Sequence, residues 1–231
     1  IRDRSPSRGL GDVYKRQEME VAFDTDGKVR AFIIRDLADE GNNLANPTVH
    51  SLLKMGTLTN CYQIPAVKFE ACSVLTNKCP SGANRGIGRP FMCFAVERTM
   101  DLIARELDLD PIDIRIRNFI QPEDFPFRIP SGTVFDSGDY PTCLMKVTKA
   151  IDIVGFRERQ KQLEPDGRKI GVGISIFCEQ GSHGTSVYAG WGIPMVPGHE
   201  QCSARFTPDG ELELRIGAHS HGQGLETTLA Q

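Results

Sequence analysis

From residue 18 onward apolar residues fall at every second position. Met19, Val21 and Phe23 begin the pattern, residues 24–27 carry turn chemistry, and residues 29–35 continue apolar. A period of two on either side of an Asp-Gly turn predicts a β-hairpin. Residues 36–53 are mixed and asparagine-rich, a loop with a helical turn in it, and residues 67–75 (VKFEACSVL) predict another strand. The period then lengthens. Met92, Val96, Met100, Ile103 and Leu107 recur at three- and four-residue spacing, which predicts a helix over residues 90–107 with a stripe packed on a sheet. Glu97, Arg98 and Asp101 lie off that stripe and read as solvated or paired charges. Asp110 and Pro111 have the chemistry of an N-cap and first helical residue for a short helix ending near Asn118.

Residues 121–140 form a connection rich in proline and glycine, followed by helices from Pro141 to about Ile151 and on to about Leu163. The polar run EPDGRK at 164–169 is turn-forming and marks the expected domain boundary. Beyond it, residues 170–177 (IGVGISIF) read as a glycine-laced strand, and residues 200–206 and 211–216 as a hairpin around Pro208 and Gly210. This order predicts an α+β fold in two parts, residues 18–163 and 164–231.

Composition narrows the partners. With 27 Lys and Arg against 30 Asp and Glu, the net charge of −3 gives no reason to expect nucleic acid. No apolar run is long enough to insert in a bilayer. Seven scattered cysteines without a CxxC pair fit free thiols in a reducing, cytoplasmic compartment. Residues 1–17 are basic, polar and without apolar periodicity, and are expected to be a non-native or disordered segment. The other reading makes them a basic RNA-contacting arm on a non-catalytic binding or scaffold remnant.

Candidate chemistry lies in two glycine loops. The first, TNKCPSGANRGIGRP at 76–90, holds Gly82, Gly86 and Gly88, with Arg85 beside them and Pro90 at the expected helix start. A helix N-terminus behind an arginine-bearing loop suits an anion. There is no G-x-x-x-x-G-K-[ST] pattern, which disfavours a nucleoside triphosphatase. In the second, HSHGQGLETT at 219–228, Gly222 and Gly224 permit close approach of a ligand, and the Gln223 amide can donate to an oxyanion. His219 and His221 lie two apart, but no third metal ligand has recognisable spacing. Arg115 and Arg117 sit among acidic neighbours and read as structural pairs.

The runs NRGIGRP, AVERTMDLIAREL and DPIDIRIRNFI, with GAHSHGQGLETTLAQ downstream, resemble the molybdopterin-binding large subunits of the xanthine dehydrogenase, aldehyde oxidase and carbon monoxide dehydrogenase family. The resemblance runs from about residue 18 to 231. It implies two molybdopterin-binding subdomains of mixed sheets with packed helices, incomplete at both ends, as in an internal fragment. It implies a molybdenum–molybdopterin cofactor, with the cytosine dinucleotide form among the options. It also implies a small-molecule substrate, 2Fe–2S and FAD partner subunits, and a dimer of heterotrimers. Residue by residue, Arg85 and Gly86 are expected at the cofactor, Ile87 in the substrate cavity wall, and Gly222, Gln223 and Gly224 at the cofactor phosphate. The family's catalytic glutamate has no counterpart here. Where xanthine-type members carry an aromatic this chain has Ile87, which disfavours purines. Where copper-containing members carry a cysteine it has Gly86, which disfavours carbon monoxide. An aldehyde- or heterocycle-oxidising parent remains.

Overall fold

A computed structural model describes residues 15–42, 53–80, 86–162, 167–179, 181, 184–190, 199–220 and 222–231. The chain divides into two compact units at 179/180.

The first unit is built on the hairpin. Strands β1 (Lys15–Phe23) and β2 (Val29–Asp39) are antiparallel. Gly27 adopts φ +87°, and a Cβ there would lie 2.5 Å from Ile114 Cδ1. The turn therefore needs glycine twice over, for conformation and for space. Strand β3 (Ala66–Val74) joins the other edge of β2 in parallel, Ala31 opposite Ala66 through Asp39 opposite Val74. Phe32, Ile34, Asp36 and Ala38 of β2 are buried, while Leu37 is exposed, as a half-buried strand requires.

Helix α1 (Arg89–Glu106) buries the expected stripe: Met92, Val96, Met100 and Ile103 are fully enclosed, and Leu107 packs against them. Gly88 is the N-cap, so the helix opens one residue before Pro90. Helix α2 (Pro111–Asn118) is capped as predicted, Asp110 accepting from the Ile112 N–H at 2.8 Å. At its far end Asn118 accepts from the Val29 N–H (2.8 Å) and donates to Gly27 O (2.9 Å), fastening the hairpin turn to the helix. The connection after α2 contains a short 3-10 turn (Pro122–Asp124) and a two-residue hairpin, β4 (Phe127–Arg128) with β5 (Val134–Phe135). Helices α3 (Tyr140–Ala150) and α4 (Ile153–Gln160) follow, and a chain of ring contacts through Tyr62, Phe119, Tyr140 and Phe125 ties the start of α3 to the core.

In the second unit, helix α5 (Thr185–Gly190) precedes an antiparallel hairpin, β6 (Cys202–Phe206) with β7 (Leu212–Ile216), and a short helix α6 (Leu225–Ala230). The whole is α+β, mixed sheets with packed helices, as expected.

Two expectations are corrected. Lys15, Arg16 and Gln17 are not outside the fold: they pair with Ala38, Leu37 and Asp36 in β1. By compactness the chain divides at 179/180, with residues 170–179 in the first unit. Among the described residues they join no sheet, although their burial alternates; side chains of Asn60, Glu97 and Arg115 hold their backbone. Glu97, expected to be solvated or paired, is paired with Arg115 at 2.9 Å and buried at 4% exposure.

Candidate functional site

Residues 81–85 fall outside the described residues, and Arg85 with them. Three consecutive left-handed residues follow: Gly86 (φ +100°), Ile87 (+30°) and Gly88 (+82°). Left-handed backbone in a β-branched residue costs about 1–2 kcal/mol, so Ile87 is held there by its neighbours. Gly86 O accepts the Arg89 N–H at 3.1 Å, and Gly88 O accepts the Met92 N–H at 3.3 Å. With Pro90 lacking an N–H, part of the expected set of free amides at this helix start is therefore absent or taken.

A cavity of about 320 Å³ opens beside the first turns of α1. Arg89, Pro90, Cys93 and Phe94 form one wall, Ser175, Phe177, Cys178 and Glu179 the other, with Thr57 and Asn60 at its base. Arg89 reaches Glu179 across it at 3.4 Å. The cavity walls are mainly apolar. Burial raises the Cys93 thiol above its usual range, with an opposing contribution from Ser175 Oγ at 3.8 Å, so this is not an activated nucleophile.

Behind the cavity lies a buried polar cluster. Glu97 accepts from Tyr62 OH (2.6 Å), Asn60 Nδ2 (3.1 Å), Arg115 Nε (2.9 Å) and the Ile176 N–H (3.2 Å). Arg115, fully enclosed, also donates to Pro111 O, Asp101 Oδ1 and Ile174 O, each at 3.0 Å. It is thus a structural arginine. Burial, and then the Glu97 carboxylate, push the Tyr62 hydroxyl well above the normal tyrosine range, so it stays a donor. Sequence reasoning missed Asn60 and Glu97. The one signal was that asparagine tolerates the left-handed conformation Asn60 adopts (φ +50°).

The second glycine loop belongs to the second unit. Gly222 (φ +94°) and Gly224 (+71°) are both left-handed, and a Cβ built on either meets nothing within 4 Å. Gly224 caps α6 without a side chain, and Gln223 Nε2 lies 3.4 Å from His219 O. Open main chain on both sides of a neutral amide side chain is a donor set that fits a phosphate oxygen. His221 lies outside the described residues, and among those described no three His, Cys, Asp or Glu side chains are grouped for a metal. No described helix is long and apolar enough to cross a membrane.

Both loops lie within stretches that match known proteins. Residues 13–119 and 146–231 each match a family model described as a molybdopterin cofactor-binding domain. The carbon monoxide dehydrogenase large chain of Afipia carboxidovorans is 36% identical, over 92% of this chain and 27% of its own. The nicotine 6-hydroxylase large subunit of Paenarthrobacter nicotinovorans is 34% identical, over 76% of this chain and 21% of its own. Among solved structures, quinoline 2-oxidoreductase from Pseudomonas putida 86 superposes with a TM-score of 0.80 at 37% identity, covering 94% of this chain and 28% of that one. The chain therefore spans about a quarter of the length of the relatives it matches. On these matches, it belongs to the molybdopterin cofactor-binding family found in the large subunits of the xanthine dehydrogenase, aldehyde oxidase and carbon monoxide dehydrogenase group.

Proposed function

We propose that this chain is the cofactor-cradling part of a molybdenum hydroxylase large subunit acting on an aldehyde or an aromatic heterocycle. The observation that carries the reading is the second loop: two left-handed glycines with open space at the Cβ position, flanking Gln223. When bound, the molybdenum cofactor supplies two-electron oxidation of the substrate carbon with an oxygen drawn from water. The chain's own residues bind and orient. The amides around Gly222 and Gly224 and the Gln223 side chain hold the cofactor phosphate, in its plain or cytosine dinucleotide form. Arg85 and Gly86 contact the cofactor from the first loop, and Ile87 shapes the wall for substrate.

Relatives named for nicotine and quinoline support the heterocycle side. Ile87 offers no aromatic plane and Gly86 no thiolate, which argues against purine and copper-assisted carbon monoxide chemistry. Electrons would pass to 2Fe–2S and FAD subunits. Relatives named as a large subunit and as one subunit of a dehydrogenase complex support partners of that kind. The test is Gln223→Ala in the complete large subunit, with molybdenum and pterin measured per protein. Both should fall together, several-fold; wild-type content would count against the assignment.

A further inference from the structure

Residues 171–179 carry the alternating burial of a strand but pair with no strand among the described residues. Their backbone is held by side chains instead. Arg115 Nη2 donates to Ile174 O at 3.0 Å, and the Ile176 N–H donates to Glu97 Oε2 at 3.2 Å. Asn60 does more. Its Nδ2 donates to Ile176 O at 2.6 Å while its Oδ1 accepts the Cys178 N–H at 3.1 Å. One amide thus bridges the carbonyl of one residue and the N–H two residues later. That is the bond pair a residue of a parallel strand makes across a ladder. The side-chain amide of Asn60 stands where a strand's peptide group would.

The bridge has a consequence for the cavity. Residues 175–179 form its wall opposite Arg89, Pro90, Cys93 and Phe94 of α1. Asn60 is 1% exposed and anchored from behind by Glu97, which Arg115 and Tyr62 fix in turn. Its left-handed backbone keeps the amide on the segment. We propose that Asn60 is a positioning residue: it sets the register and distance of the 175–179 wall against α1, and so the shape of the cavity one turn from the Gly86–Ile87 loop. Its effect on substrate selection rests on the molybdenum hydroxylase reading; its effect on the wall does not.

Two substitutions separate the amide from the backbone. Asn60→Gly keeps the left-handed conformation without strain and deletes both bonds. Asn60→Asp keeps an acceptor for Cys178 but deletes the donors to Ile176 and Glu97 and sets a second carboxylate beside Glu97. Hydrogen exchange is read at the Cys178 amide, with β2 amides as the control for folding. Asn60→Gly should lower Cys178 protection by about tenfold or more with β2 unchanged, since local opening needs only the local bonds. Asn60→Asp should lower it at least as far, because its carboxylate is repelled by Glu97 and by Ile176 O. In the complete, cofactor-loaded enzyme, Asn60→Gly should raise KM with kcat little altered, because a displaced wall changes binding and not the reacting centre. Unchanged Cys178 protection in Asn60→Gly, or equal loss in β2, would overturn the proposal, as would a fall in kcat at constant KM. Should the wild-type complete subunit hold no molybdenum, the functional reading fails, while the exchange result still judges Asn60.

Discussion

Asp39 shows how much one carboxylate can organise. It accepts from Lys78 Nζ at 2.8 Å, Thr76 Oγ1 at 2.6 Å and the Gly41 N–H at 3.0 Å, pinning the end of β2 to the chain that leads into the first glycine loop. Those bonds, Lys78 first and then Thr76, hold its pKa down to about 2. Because the folded value lies below that of an unfolded Asp, its contribution is complete above about pH 4 and disappears as pH falls toward 2. Carbon-detected NMR titration should place the Asp39 midpoint near the low value, and Asp39→Asn should remove that part of the acid response. Arg115 gives a larger effect. Replacing it with Ala would strand the Glu97 carboxylate in the core, a loss of about 3–5 kcal/mol read in denaturant melts. The sequence pointed to a structural pair for Arg115, from its acidic neighbours, and read Glu97 as solvated or paired. It could not show that Glu97 is enclosed, since a helix wheel places Glu97 off the stripe and the groups that cover it, Asn60, Tyr62, Arg115 and Ile176, come from elsewhere in the chain.

At the scale of elements, the legible features were those made by local chemistry. The hairpin turn, the Asp110 cap, the apolar stripe of α1 and the β6–β7 hairpin are each set within a few residues, and each lies within a residue or two of its expected place. The glycine loops were legible too, as glycine followed by a helix start. Their consequences differ, however. Gly86→Ala must both hold φ +100° and bring a Cβ to 3.0 Å from Pro90 Cγ, whereas Gly222→Ala meets only the backbone penalty. We expect a cost of about 1 kcal/mol at Gly222, and more at Gly86 because Pro90 has to move. Paired thermal melts would check the order, and a Gly222 variant as unstable as Gly86 would show that its surroundings are not open. The strand expected at 170–177 failed for a non-local reason. Alternation reports which side faces the core, but hydrogen-bond partners come from elsewhere in the chain, here from residues 59 to 118 positions away.

For the whole molecule, the matched relatives are about four times longer, and the two glycine loops belong to different compact units. We propose that the chain on its own, even supplied with cofactor, oxidises no aldehyde in a dye-linked assay, since the resemblance matches none of its residues to the family's catalytic glutamate. Measurable turnover would refute that.

The side-chain suspension of residues 174–178 also sets an order of events during synthesis. Strands β1 and β2 are neighbours in sequence and can pair as soon as they leave the ribosome. Asn60, Glu97 and Arg115 complete their hydrogen bonds only when Cys178 has emerged. Until then, the amide, carboxylate and guanidinium destined for the core must remain wet, and the first unit stays ajar. A chain cut at residue 119, where the first family match ends, would be left in that unfinished state. It should bind a hydrophobic dye and succumb to protease, while one extended through residue 179 should resist both.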